Sequence, residues 1–469
     1  MSFLTRRKPI DQVTVHEAGH RLKPTLSWPH LVALGVGGIV GTGIYTLVGV
    51  GAGLAGPAVI LSFVIAGAVC ACAALAYAEM ATMMPAAGSA YTYSYAVLGE
   101  TLAWVIGWSL ILEYTVVCSA VAVGWSAHAQ PFLLGLGAPP ALLAGPEAAG
   151  LVNLPAVLIA LVVAGLLILG TRESATVNVV LVVVKVAALL AFVLLAAPAF
   201  DPSHFSPFAP FGLARESAQG MKVGVIPAAS LIFFAFYGFD AISTAAEEAR
   251  RPGRDLTIGI IGSMLACTVI YMAVAAAAIG AAPVDVFARS EAPLVFVLDS
   301  LRQPLAARLV AGAAVVALPT VIMVFMYGQS RIFFVMARDG LLPRGLAKVS
   351  RRTGTPALMT AITGLISAAI AGVLPLKQIA ELANAGTLAA FVAVAVCMMI
   401  LRRREPTRPR PFRAPLWWAV GPLAVAGCLY LFANLPRLTQ VWFLAWNLVG
   451  IVVYLAYGRR RSRLAAAGG

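Results

Sequence analysis

The sequence predicts an all-α polytopic membrane protein: twelve transmembrane helices, ten in a five-plus-five inverted repeat and two more after them. Three observations lead there. The chain is 61% hydrophobic and 11% charged over 469 residues, too few polar residues to cover a soluble body of that size. Its apolar residues gather into twelve runs almost free of charge, each about the length that crosses a bilayer. The first and sixth of these runs, each opening a block of five, are interrupted by glycine, the pattern of paired discontinuous helices.

Residues 1–30 carry Arg6, Arg7, Lys8, Asp11, His16, Glu17 and Arg21 and lack an apolar stretch, so they read as a cytoplasmic segment and not as a signal peptide. The first repeat, 31–199, holds spans at 31–55, 58–84, 101–127, 154–170 and 175–199. The second, 222–401, holds spans at 222–246, 258–282, 307–335, 357–374 and 380–401. Residues 414–458 supply the last two, 414–435 and 438–458, and 459–469 form a cytoplasmic tail.

Charge sets the orientation. The net charge is +14, yet the basic residues lie in short clusters beside the spans, which excludes nucleic acid as the natural partner and follows the positive-inside rule. One side holds 24 of the 33 Lys and Arg, the other holds seven, and Lys185 and Arg331 lie within spans. Both termini are therefore expected in the cytoplasm, with the protein in the cell (inner) membrane. Arg402–Arg404 and Arg459–Arg461 read as topological anchors. The six cysteines all fall in apolar runs and read as small buried hydrophobes, not as disulfides or metal ligands.

The chemistry concentrates at the two interruptions. Gly35 to Gly43 contains five glycines in nine residues, and the sixth run contains Gly238 and Asp240 with Pro227 upstream. Glycine lets a helix unwind and lets a ligand approach the backbone. An unwound turn exposes N–H groups from one half-helix and carbonyls from the other, which a membrane tolerates only beside a cavity. The N–H end attracts an anion and the carbonyl end a cation, so the pair describes a receptor for a zwitterion. Close helix packing is the other reading of Gly37 and Gly41.

Three stretches carry a family resemblance: Gly35 to Tyr45; Phe233 to Asp240 with Ser243 to Pro252; and Tyr327 to Pro343. Together, from about Leu26 to Phe412, the chain is similar to the amino acid–polyamine–organocation transporters, and among them to bacterial relatives of the cationic amino acid transporters. The resemblance implies the fold shared with sodium-coupled amine and amino acid symporters. It also implies that a substrate carboxylate is held at Thr42 and Gly43. The substrate amino group would be held by carbonyls of Ile39, Phe234, Ala235 and Tyr237.

Lys185 lies in the middle of the fifth span, where a charge must line a cavity, find a partner or give up its proton. The resemblance implies that its ammonium stands where related carriers bind a cation, which would couple a proton to transport. A lysine that stays charged would instead give an exchanger or facilitated carrier. Glu113, mid-span in the third run, has three readings open: partner to a cationic substrate side chain, member of a proton relay, or structural hydrogen bond. Asp240 is expected to brace the lower half of the sixth helix.

Glu247, Glu248, Arg250, Arg251 and Arg254, with Arg331, Arg338 and Asp339, form either an inner gate or a fixed solvated rim. One of Phe236, Tyr237 and Phe239 is expected as a thin lid over the substrate, with simple helix packing as the other reading, and Met323, Met326 and Tyr327 as a narrowing of its side-chain pocket. The loop from Ala337 to Pro356 has room for a short surface helix.

The functional class is a secondary transporter importing amino acids, with a proton as coupling ion and no other cofactor. ATP has no Walker motif to bind, the five histidines make no metal cluster or triad, and an enzyme is excluded on that ground. A channel would need a continuous polar lining. A membrane amino acid sensor is the rival from another class. The partners are the amino acid and the bilayer; the identity of the amino acid and any small membrane accessory subunit are left open.

Overall fold

The structure is a computed structural model that describes residues 6–13, 26–169, 175–217, 221–290, 292–347 and 356–464. His16, Glu17, Arg21 and the charge near residue 172 lie outside the described residues.

Eighteen helices carry the architecture. They are α1 (Trp28–Ile39), α2 (Thr42–Tyr45), α3 (Leu47–Ala55), α4 (Val59–Met83), α5 (Ser89–Val97), α6 (Glu100–Gly135), α7 (Leu154–Ile168), α8 (Ala175–Ala196) and α9 (Val225–Ile232). There follow α10 (Asp240–Thr244), α11 (Pro252–Ala281), α12 (Pro293–Ser300), α13 (Pro304–Ala317), α14 (Pro319–Arg338), α15 (Ala357–Val373), α16 (Leu376–Arg404), α17 (Trp417–Asn434) and α18 (Arg437–Val453). Among the described residues, nine helical runs are long and apolar enough to cross a membrane, and three shorter apolar helices are α1, α7 and α15. The protein is thus all-α and polytopic. A two-stranded ladder, Arg215–Glu216 against Lys222–Val223, is a small addition.

Each expected span corresponds to helix, with local differences. The first is in three pieces, α1 to α3. The eighth is two helices joined at Leu318, because Pro319 has no N–H to donate and its ring disfavours a straight helix. Helix α5, Ser-Ala-Tyr-Thr-Tyr-Ser-Tyr-Ala-Val, lies between the second and third expected spans, and all nine of its residues are buried. In the loop expected to hold a surface helix, a short 3-10 turn covers Arg344–Ala347; residues 348–355 lie outside the description.

The interior is set by α6 and the interrupted α9–α10 crossing. Helix α6 packs on α14, α16, α15 and α7, and α11 packs on α1 and α4. The α9–α10 crossing is wholly buried, so an apolar run there faces protein and not lipid. One polar knot ties the periphery. Glu79 on α4 accepts two bonds from Arg402 on α16, both at 2.7 Å, and one from the Ala414 N–H at 2.8 Å, with Arg410 at 3.2 Å. A buried carboxylate needs this many partners to offset its lost hydration. All six cysteines are free thiols.

Candidate functional site

Helix α1 ends at Ile39, Val40 and Gly41 are extended, and α2 restarts at Thr42. The amides of Ile44 and Tyr45 bond back to the Gly41 carbonyl at 3.2 and 3.4 Å, which leaves the Thr42 and Gly43 N–H groups at the open end of α2. In the sixth crossing, α9 tightens into a 3-10 turn, Phe233–Ala235, and the chain is non-helical until Asp240. Gly238 makes the turn at φ +120°, a conformation that a side chain would strain. Asp240 braces the restart as expected: its carboxylate accepts the Gly238 N–H at 3.0 Å and the Tyr114 hydroxyl at 2.8 Å. No main-chain hydrogen bond of ordinary geometry among the described residues reaches the Phe234, Ala235 or Tyr237 carbonyls.

The two interruptions touch. A Cβ at Gly43 would lie 2.3 Å from the Ala235 Cα, and one at Gly238 would lie 2.7 Å from the Gly38 carbonyl carbon. Both positions admit only glycine unless the backbone moves.

Between the interruptions lies a cleft of about 10 Å³, lined by Gly38, Ile39, Gly41, Thr42, Gly43, Val117, Val121, Phe234, Tyr237, Val321 and Phe325. That is room for roughly one water, so an amino acid requires the cleft to widen. Ile39, Thr42, Gly43, Phe234 and Tyr237 are brought together here from the expected set. Ala235 stands against Gly43 and not in the lining. The Thr42 and Tyr237 hydroxyls are buried without a hydrogen-bond partner.

The wall residues from α6 and α14 were not foreseen. Met323, Met326 and Tyr327 were expected to narrow the pocket; instead Val321 and Phe325, one turn apart, face it, and the Tyr327 hydroxyl donates to Glu248 at 2.9 Å. Of the three aromatics among which one lid was expected, one reaches the cleft. Tyr237 lines the cleft, whereas Phe236 packs on Phe63 and Tyr271, and Phe239 on Tyr77 and Phe391.

Lys185 is fully buried, and its ammonium donates to the Gly37 carbonyl at 2.9 Å. That carbonyl belongs to the last turn of α1, where the interruption removes its helical partner. The Tyr45 hydroxyl, beyond the interruption, donates to the Lys185 carbonyl at 3.0 Å. The Ile39 carbonyl accepts the Tyr271 hydroxyl at 2.7 Å, which leaves it one lone pair for a ligand.

Glu113 does not line the cleft. It is fully buried and, among the described residues, neither carboxylate oxygen has a hydrogen bond of ordinary geometry. Of the candidate gate residues, Arg331 pairs with Glu248 at 2.5 Å and lies over the Tyr327 ring. Glu247 accepts the Ala87 N–H at 3.0 Å. Arg250 is exposed, and its N–H bonds to the Leu26 carbonyl at 2.8 Å. The pairing thus joins Arg331 to Glu248 rather than to Glu247.

Comparison with known proteins points to one family. The family model described as amino acid permease matches residues 26–456. The branched-chain amino acid permease BcaP of Bacillus subtilis (strain 168) is 44% identical over 466 residues, 98% of this chain and 98% of its own. The methylthioribose transporter of the same organism is 40% identical over 469 residues, 99% of this chain and 100% of its own. The vacuolar cationic amino acid transporter 2 of Arabidopsis thaliana is 39% identical over 417 residues, 86% of this chain and 64% of its own. The likeness is therefore not specific to cationic carriers, as the sequence motifs had suggested. Two bacterial relatives that match nearly end to end carry other substrates in their names.

Proposed function

The chain belongs to the amino acid permease family, and on that premise we propose that it is a secondary transporter that imports neutral, apolar amino acids with protons by alternating access. The observation that carries the reading is the cleft itself. In this reading the Thr42 and Gly43 N–H groups would take an α-carboxylate and the Phe234 and Tyr237 carbonyls an α-ammonium, and the rest of the lining is apolar. Val117, Val121, Val321 and Phe325 offer no charge to a cationic side chain. An arginine or lysine side chain would lose its hydration there without a partner. A branched aliphatic side chain loses nothing, and the name of the Bacillus relative agrees.

The architecture proposed is twelve crossings, 31–199 and 222–401 as inverted repeats and 414–458 as two added helices, with both termini cytoplasmic in the cell membrane. The interruptions in the first and sixth crossings and the bias of Lys and Arg support it.

Lys185 is the proposed coupling residue. Protonated, it ties the fifth crossing to the Gly37 carbonyl; neutral, it loses the charge-assisted part of that bond. Proton occupancy then biases how tightly α1 is held. The same bond would persist in a lysine that never deprotonates, and the protein would then exchange substrates without net proton flow.

One experiment tests both parts. Purified protein in proteoliposomes is given an imposed inward proton gradient and radiolabelled leucine or arginine. The reading requires leucine accumulation above equilibrium that collapses with a protonophore, and little arginine uptake. Counterflow without gradient-driven accumulation would make it an exchanger, and a preference for arginine would overturn the substrate class.

A further inference from the structure

A second cavity, of about 130 Å³, lies between α6, α14, α15 and α18, farther along α14 than the residues that wall the cleft. Its walls are mostly apolar, including Leu112, Phe333, Ile362 and Trp446. Ile366, also in the wall, is 48% exposed on the outer face of α15, so the cavity opens where that helix meets lipid.

Its aromatic wall is fixed. Trp446 and Trp108 stack at 4.8 Å, and each indole N–H donates to the other's main-chain carbonyl at 2.9 Å. Rotation of either ring would break the bond that its own N–H makes and the stacking with its partner, so the space is preformed.

One fully buried polar atom of a wall residue is left without a hydrogen bond. Gln329 is 1% exposed, and its side-chain amide donates to the Ile111 carbonyl at 3.2 Å and to the Thr115 hydroxyl at 2.7 Å. A carbonyl only accepts, so the nitrogen end of the amide is fixed. The Oε1 atom is then a buried acceptor with no hydrogen bond, a group that interiors rarely leave unpaired.

We propose that this cavity is a membrane-accessible binding site for a small lipophilic molecule bearing one hydrogen-bond donor, of the phenol or indole class, with Gln329 Oε1 as its acceptor. The size suits a single ring: a cavity of roughly 150 Å³ lined by apolar side chains takes up benzene. The wall contains no ionisable side chain, which excludes a charged ligand. The opening toward lipid selects molecules that partition into the bilayer. Gln329 lies one turn beyond Phe325 on α14, and Thr115 lies two residues before Val117 on α6, so an occupant braces the two helices that wall the cleft. This site stands independently of the transported substrate and of proton coupling.

The test uses the full chain in nanodiscs, with phenol as probe and toluene as the matched ring without a donor, binding being read from the concentration dependence of thermal unfolding. The site requires phenol to bind roughly tenfold more tightly than toluene, about the worth of one hydrogen bond in a dry cavity. In Gln329→Leu that preference should fall below about twofold, with toluene binding kept. Ile366→Trp, which fills the opening from the lipid side, should abolish the response to both. Equal affinity for the two probes in the unaltered chain, or an unchanged phenol response in Ile366→Trp, overturns the proposal and leaves Gln329 Oε1 to water alone.

Discussion

Lys185 and Gly37 are joined across 2.9 Å by a single bond from ammonium to carbonyl, made at the turn where the first crossing gives up its helical pairing. Because Tyr45, on the far side of that interruption, bonds to the main chain of the same lysine, one residue of α8 holds both lips of the opening.

Replacing Lys185 with Ala should abolish accumulation driven by a pH gradient while counterflow exchange persists. The replacement removes the proton carrier and leaves the main-chain contact to Tyr45. Gradient-driven uptake at the unaltered rate would remove Lys185 from the coupling step.

Gly43→Val should weaken substrate binding by more than about tenfold, or roughly 1.4 kcal/mol, because its side chain must occupy the place of the Ala235 backbone. Isothermal titration with leucine measures this. Retained affinity would move the carboxylate away from Thr42 and Gly43.

Glu248→Gln should loosen the closure between α10 and α14. Its carboxylate receives both the Arg331 guanidinium and the Tyr327 hydroxyl, and the amide keeps shape but not charge. Labelling of a cysteine placed at Val321 should then quicken severalfold from the side that carries Glu248. An unchanged labelling rate would make the pair a fixed rim.

Glu79→Ala should cost about 3–5 kcal/mol, the usual loss when one partner of a buried ion pair is removed, because two arginines and the Ala414 N–H lose their common acceptor. A fall of several degrees in the unfolding temperature of the purified protein is expected. Glu79→Gln should recover only part of it.

What could be read in the sequence was what broke the apolar pattern. Gly35 to Gly43, Gly238, Asp240 and Lys185 are out of place in membrane runs, and each of them proved to stand at or beside the interruptions. What could not be read was rotation. Helix α14 is apolar on most of its circumference, so nothing distinguishes Val321 and Phe325, which face the cleft, from Met323 and Met326, which do not. Tyr271 and Tyr114 are equally silent, since a tyrosine in an apolar run looks like packing until its hydroxyl is seen on Ile39 or Asp240. The pairing of Arg331 with Glu248 and not its neighbour Glu247 depends on a turn of 3-10 helix, Ala246–Glu248, that spacing alone does not specify.

The knot at Glu79 is the more heavily bonded of two seams. It fastens α4, the neighbour of the interrupted crossings, to α16 and to the chain leading into α17, whereas the Arg331–Glu248 contact is a single pair between α14 and the end of the sixth crossing. On the proposed alternating access, a rocking motion that ruptured the weaker seam would leave the stronger one shut, and the rim would part as a door does, hung at Glu79 and unlatched at Glu248.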